Sequence, residues 1–396
     1  MQNFKLNETE ILSNQDWTFP TNTAYGPGRF KEIGDQCNKF GIRNPLIVTD
    51  NGSTKLPFIN ELKELLLKAN IKSDLFSEIS PNPREDEISV GCKKYKDGNH
   101  DSIIAIGGGS AMDGGKLICL TANNDIPLRD FEFELTPPKI SKDNPFPKII
   151  TIPTTAGTGA ETEITAMVTY LKEGMKFCMW HPDVRPVLAL VDPELTLGLP
   201  SSLTAWTGVD AMVHAIEGYC VPGFHPLCDG SALESLSLIS KSLYLAVEEP
   251  KNLIARGGMH IGSYLGGIAF LKGLGNVHSI SHMVGAEFNT QHGLTNAIIL
   301  PVVLKYNLYD MDEKVKRMSE AMQFKDHSVD SFINNIEKML DRLQIPKSLS
   351  EIGVTEDCVD RIAEKAMKDQ AYATNPKKAS YEDMKEMVMQ SIKKAR

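Results

Sequence analysis

The chain has no run of five or more basic residues, and its 42 Lys+Arg against 51 Asp+Glu give a formal net charge of −9. That balance argues against a general affinity for nucleic acid or for an anionic membrane surface. No apolar span reaches the roughly eighteen residues that a membrane-crossing helix needs, so no membrane partner is expected. The opening stretch MQNFKLNETEILSNQDW is polar and acidic and lacks the apolar stretch of a secretory signal. The seven cysteines (37, 92, 119, 178, 220, 228 and 358) are odd in number and form no C-x-x-C pair. A disulfide framework and a zinc ribbon are both disfavoured, and free thiols in the reducing cytoplasm are the expectation. No internal repeat or low-complexity segment is present. At 396 residues the chain can hold two domains, each with its own core.

The first half alternates strand-like and helix-like segments. LIVTD (46–50), SDLFSEI (73–79), the apolar run opening DSIIAIGGGSAMDGGK (101–116), KIITIP (148–153) and VLALVDPEL (187–195) read as strands. Helical patterns lie between them at 58–70 and 84–98. Such alternation predicts parallel β-α-β units with helices covering the sheet. After Pro200 the period becomes helical, broken at VPGFHP (221–226) and GLG (273–275). The expected architecture is an α/β dinucleotide-binding domain over 1–199 and an all-helical domain over 200–396.

Six of the nine histidines fall between His214 and His292. Asp210 and His214 are four apart, as are His278 and His282, so each pair shares one face if helical. His292 follows shortly after. An isolated pair of this kind is ordinarily an N-cap or a surface pair. Two pairs and a further histidine in glycine-rich apolar sequence suggest instead that Asp210, His214, His278 and His292 hold one divalent metal, with His282 beside it. Three imidazoles and a carboxylate suit iron(II), zinc or cobalt(II), and can leave a position open for substrate.

The run Gly107-Gly108-Gly109-Ser110 follows a strand and opens a helix that carries Asp113 and Lys116. Glycine amides at a helix N-terminus can approach a pyrophosphate closely. Met112 stands where G-x-G-x-x-G needs its last glycine and Leu117 where a Walker A loop needs Ser/Thr, so a tight turn remains the other reading. Asp50, ending its strand, could hydrogen-bond a ribose and repel a 2′-phosphate, or act only as a turn residue. Thr154, Thr155 and Thr158 supply hydroxyls that ordinary turn chemistry also explains.

Together these segments resemble the iron-containing (group III) alcohol dehydrogenase family. The likeness is carried in order by YGPG (25–28), LIVTD, GGGSAMDGGK (107–116), IPTTAGTGAE (152–161), LALVDPEL (188–195), GVDAMVHAIEGY (208–219), NVHSISHMVGAEFNTQHGLTNAIILP (276–301) and DQAYATNP (369–376). It implies a dehydroquinate synthase-like architecture, with a parallel-sheet NAD(P) domain and a helical metal-binding domain. It also implies Asp210, His214, His278 and His292 as ligands of Fe(II), with zinc as the alternative metal. His282 is implied as the nearby non-ligand histidine by the nicotinamide. Asp50, Gly108, Gly109, Ser110, Asp113, Thr154, Thr155, Thr158 and Lys176 are implied as cofactor contacts, with NAD expected over NADP. Glu163 stands where many relatives carry a threonine, so that contact is not carried over. FLKGLGNVH (270–278) is one residue shorter than in some relatives and contains Lys272.

The resemblance implies a reversible, metal-dependent oxidation of a primary alcohol to its aldehyde by hydride transfer, in a homo-oligomer. His282, or ribose hydroxyls with water, would carry the alcohol proton. Glycerol dehydrogenases, dehydroquinate synthases, dehydrogenases of anionic alcohols and a silent NAD- or metal-binding protein are the alternatives. Lys272 either attracts an anionic group on the substrate or is a solvated lysine at a helix end.

Overall fold

The computed structural model describes residues 21–396, Leu12 and the backbone of Gln15–Trp17. Residues 1–11, most of the stretch read above against a secretory signal, lie outside the described residues. The chain divides into two units. One comprises the described residues up to Thr155 together with Ala160–Gly198, and the other Ala156–Gly159 together with Leu199–Arg396.

Among the described residues the first unit is built on a seven-stranded sheet of order β1-β2-β9-β6-β5-β3-β4. Its strands are β1 (Gln15–Trp17), β2 (Thr23–Tyr25), β3 (Pro45–Asp50), β4 (Asp74–Ile79), β5 (Ser102–Gly107), β6 (Lys148–Pro153) and β9 (Leu188–Val191). All pairings are parallel except β1 with β2. The near-continuous apolar strands follow from burial on both faces. Leu46, Val48, Ile103, Ala105 and Ile149 enter one core, while the alternate residues Ile47, Ile104, Ile106, Ile150 and Leu190 enter the other. The covering helices are α1 (Ile33–Phe40), α2 (Pro57–Lys68), α3 (Glu85–Asp97) and α4 (Gly109–Ala122). The sequence reading passes over an antiparallel hairpin, β7 (Thr165–Tyr170) with β8 (Met175–Trp180), which forms its own two-stranded sheet. Gly174, at φ 57°, closes its turn.

From β3 the chain moves outward to β4 and then returns to the other side of β3 as β5, so the strand order reverses between β3 and β5. Open parallel sheets bind ligands at the carboxyl ends of strands flanking such a reversal. Here those ends are Asp50 and Gly107.

Among its described residues the second unit contains no β-strand. Its helices are α5 (Ser201–Cys220), α6 (Pro226–Glu248), α7 (Leu253–Ala269), α8 (Asn276–Phe288), α9 (His292–Asn307), α10 (Asp312–Ala321), α11 (Val329–Arg342), α12 (Val359–Ala366), α13 (Gln370–Thr374) and α14 (Tyr381–Lys393). Helix α5 is apolar around most of its circumference and is buried almost continuously from Thr204 to Cys220, packed among α6, α7 and α9. Its polar residues therefore face protein rather than water. The segment Asp310–Leu343, amphipathic in sequence, is two helices separated by residues 322–328. The C-terminal helix begins with a capping box between Ser380 and Asp383.

Candidate metal centre and cofactor cradle

Three helices of the second unit converge on one point. Helix α5 carries Asp210 and His214, α8 carries His278, and α9 opens with His292. One donor atom from each of these four side chains lies within 4.8 Å of all the others. Asp210 Oδ1 is 3.8 Å from His214 Nε2, 3.9 Å from His278 Nε2 and 3.7 Å from His292 Nε2. Four tetrahedral donors about 2.1 Å from a cation sit about 3.4 Å apart, so the three distances to Asp210 Oδ1 are within about 0.5 Å of that spacing. Gly293 makes the convergence sterically feasible: a Cβ there would lie 2.5 Å from the Trp206 carbonyl oxygen and 3.1 Å from Asp210 Cβ.

Each imidazole is held from behind. His278 Nδ1 is 2.7 Å from Glu217 Oε2, His214 Nδ1 is 3.1 Å from the Gly157 carbonyl, and His292 Nδ1 is 3.2 Å from Ser281 Oγ. With Nδ1–H donated outward to Glu217 and to Gly157, the Nε2 lone pairs of His278 and His214 face the centre, as metal-binding imidazoles require. Burial, the charges of His278 and His282, and the opposing hydrogen bond to Gly157 leave His214 far below the ordinary histidine range. Burial also disfavours a charged His278, but Glu217 overcomes it, with help from Asp210 and Asp369, and raises its pKa.

A donor already stands among these acceptors. Asn296 Nδ2 is 2.7 Å from Asp210 Oδ1, 3.2 Å from His278 Nε2 and 3.1 Å from His292 Nε2. Two amide protons cannot satisfy three such acceptors, and Asn296 Oδ1 is itself buried without a partner. The centre is short of positive charge, and its donor set fits a divalent cation. The His292 side chain is 27% exposed whereas those of Asp210, His214 and His278 are nearly inaccessible, so the centre opens on the His292 side.

His282 stands outside this four-atom set. Its ring stacks on His292 at 5.5 Å, and its Nδ1 is 2.9 Å from Asp369 Oδ2. Asp369 also caps α13 through the Ala371 amide. Glu217, Asp369 and Asn296 were not singled out from sequence. Glu217 is seven residues from Asp210 and Asn296 four from His292, so helical spacing marks both; Asp369 heads the segment DQAYATNP, but no spacing relates it to the histidines. Lys272 is neither solvated nor free to meet an anion. Its side chain is 5% exposed and bonded to Asp229, because the 3-10 turn ending α7 aims it inward.

In the sheet unit, Gly107 takes φ 146°, and a Cβ on it would lie 2.7 Å from Ala111 Cβ and 2.9 Å from Asp50 Oδ2. Only glycine lets the chain turn here into α4. Asp50 accepts from Ser53 N (3.0 Å) and Ser53 Oγ (2.8 Å), so it serves the turn while standing against the glycine loop. The hydroxyls of Thr49 and Thr155 are buried without partners, and their side chains lie 3.4 Å and 3.6 Å from where Cβ atoms on Gly107 and Gly108 would be. Unspent donors beside a bare glycine backbone at a helix N-terminus fit a dinucleotide pyrophosphate. Thr154 ties to the loop through its amide and the Gly107 carbonyl, 2.8 Å. Ser110 donates its hydroxyl to the Pro81 carbonyl. Thr158 belongs to the helical unit.

Asp113, on α4, and Lys176, on β8, fall near Lys116, and Lys116 acts in turn on Glu161 and Glu163. Lys116 is completely buried and donates to the Thr165 carbonyl at 2.8 Å. Burial, opposed by Lys116, pushes Asp113 up to about 6 and Glu163 up to about 7. Burial likewise raises Glu161 to about 7. The Glu163 carboxyl accepts from the Thr165 hydroxyl.

Residues 20–193 match the family model described as iron-containing alcohol dehydrogenase, and residues 204–392 match the Fe-containing alcohol dehydrogenase family, C-terminal model. Alcohol dehydrogenase 4 of Schizosaccharomyces pombe is 34% identical over 369 residues, which are 92% of this chain and 86% of that protein. The 4-hydroxybutyrate dehydrogenase of Cupriavidus necator is 34% identical over 377 residues, 92% of this chain and 96% of that one. The crystal structure of a 1,3-propanediol oxidoreductase superposes with a TM-score of 0.89 at 30% identity, covering 96% of this chain and all of that one (100%).

Proposed function

We propose that this chain, which belongs to the iron-containing alcohol dehydrogenase family, oxidises an uncharged primary alcohol with NAD, using Fe(II) held by Asp210, His214, His278 and His292. The reaction class follows from membership: a metal-dependent, NAD-linked interconversion of alcohol and aldehyde. The observation that carries the ligand assignment is the set of three Nε2 atoms at 3.7–3.9 Å from one carboxylate oxygen of Asp210. A bound divalent metal supplies Lewis acidity toward the alcohol or carbonyl oxygen.

The chain's own residues do the rest. Glu217, the Gly157 carbonyl and Ser281 hold the imidazoles in place, so the donor geometry exists before substrate arrives. Asp369 accepts from His282 Nδ1, which fixes the tautomer in which Nε2 is the basic nitrogen, the atom that takes a proton from the alcohol. Thr49, Thr155 and the amides of Gly108, Gly109 and Ser110 receive the pyrophosphate, and Asp50 takes a ribose hydroxyl while disfavouring a 2′-phosphate. Within the sheet unit, Asp113, Thr154 and Lys176 are the further cofactor contacts on the family reading.

One relative is named for 4-hydroxybutyrate, an anion, and one solved structure for 1,3-propanediol, which is neutral. The neutral class is favoured here because Lys272, the cation nearest His278 in sequence, already serves Asp229. Among the described residues no helix is long and apolar enough to cross a membrane. A cytoplasmic homo-oligomer, dimer or larger, with no nucleic-acid partner, is the accompanying reading; the net charge of −9 supports the last point, and among the described residues β1 is an edge strand, the kind of element that pairs with a second copy. Metal analysis of the purified protein, with NADH formation followed on ethanol, 1,3-propanediol and 4-hydroxybutyrate, tests this. Turnover of 4-hydroxybutyrate well above the two neutral alcohols would contradict the substrate class.

A further inference from the structure

Lys272 closes the 3-10 turn Phe270–Lys272 that ends α7, six residues before His278. Its ammonium donates to the Asp229 carboxylate in the first turn of α6 and to the Tyr219 carbonyl, 3.3 Å away, in the last turn of α5. Lys314 from α10 reaches the same carbonyl at 2.6 Å, and the Cys220 and Val221 carbonyls at 3.3 and 3.2 Å. Cations at a helix C-terminus are favourable in general. Lys272 does something more particular, because it pins a connecting strap to two helices at once.

That strap touches the metal centre at both ends. At one end Phe270, two residues before Lys272, packs edge-on against His214 with ring centroids 4.8 Å apart. At the other, Gly275 N and Val277 N donate to Glu217 at 3.0 and 2.8 Å, and Glu217 in turn holds His278. Between them, Thr374 Oγ1 donates to the Leu274 carbonyl at 2.8 Å and accepts from its amide at 3.2 Å. The middle and far end are thus held by the side chains of Thr374, Asn375 and Glu217; at the near end the side-chain anchor is the Lys272–Asp229 pair.

We infer that Lys272 is a positioning residue for the metal centre: by bridging Asp229 and the Tyr219 carbonyl it fixes the turn that holds Phe270 against His214, and so sets how tightly the centre retains its cation. The inference rests on the four-ligand reading. Lys272 itself touches neither metal nor substrate.

The test uses zinc-loaded enzyme challenged with excess chelator, with zinc release followed by an indicator dye. Lys272→Met releases zinc about 10-fold faster than wild type, the lower end of what losing an outer-shell support does. Asp229→Leu matches it, and Asp229→Asn, which keeps an acceptor for the ammonium, falls between. The double variant Lys272→Met/Asp229→Leu leaves no charge unpaired, so its thermal midpoint returns toward wild type while its zinc release stays fast. The cobalt(II) absorption spectrum of the double variant shifts as well. Wild-type release from Lys272→Met, or release in the double variant that recovers along with its stability, overturns the inference. His278→Ala run alongside separates the readings. Full zinc retention there overturns the ligand set, whereas zinc loss there with wild-type release from Lys272→Met overturns only the role of Lys272.

Discussion

Glu217 Oε2 stands 2.7 Å from His278 Nδ1, and the same carboxylate accepts from the Gly275 and Val277 amides. One buried side chain from α5 therefore fixes both the entry into α8 and the tautomer of the imidazole that α8 presents. Glu217→Gln keeps the volume but removes the charge. Metal affinity falls about 10–100-fold, measured by competition with a chelator, as for other outer-shell partners of metal-binding histidines.

Asp369 and His282 are separated by 87 residues and joined at 2.9 Å. In Asp369→Asn the His282 tautomer is no longer enforced. If His282 carries the alcohol proton, kcat falls roughly 100-fold while metal content, read by elemental analysis, stays at the wild-type value. Loss of metal together with activity would assign Asp369 to structure instead.

Asp50 stands against the Gly107 loop at the reversal of strand order. Asp50→Ala narrows the preference for NAD over NADP, read as the ratio of the two kcat/KM values. The change is on the order of 10–100-fold, because an apposed like charge costs several kcal/mol. Thermal stability also drops slightly, since Asp50 caps the turn at Ser53.

Glu163 titrates near 7 in the fold against an ordinary value of 4.5, chiefly because it is buried. A carboxyl raised in this way binds more protons folded than unfolded. Its full contribution to stability is present below the ordinary value and is lost as pH rises through about 7. Glu163→Gln removes that loss. Thermal midpoints of metal-free, cofactor-free protein show the variant gaining on wild type between pH 5 and pH 8, at about 2–4 °C per kcal/mol. A constant difference across that range would show that the carboxyl does not titrate there.

The parallel sheet was legible because strands buried on both faces are short, unbroken apolar runs, as in LIVTD and KIITIP. The β7–β8 hairpin escaped because its strands TAMVTY and MKFCMW mix apolar and polar residues and follow a Thr/Gly loop that draws attention to itself. Asp210 and His214 could be paired because a helix repeats every four residues or so, and the same rule reaches Glu217 and Asn296. The His282–Asp369 and Lys272–Asp229 bonds join helices distant in sequence, so no local period signals them. Lys272 shows the limit most clearly: an ammonium looks solvated or substrate-facing until the fold supplies its carboxylate.

The central claim is that one cation sits among Asp210, His214, His278 and His292. The most direct measurement is anomalous scattering at the iron edge from crystals grown with Fe(II) under reducing conditions. The account predicts one strong peak per chain, about 2.0–2.2 Å from Asp210 Oδ1 and from the three Nε2 atoms. A peak elsewhere, or no peak among these four side chains in crystals of active enzyme, would contradict it.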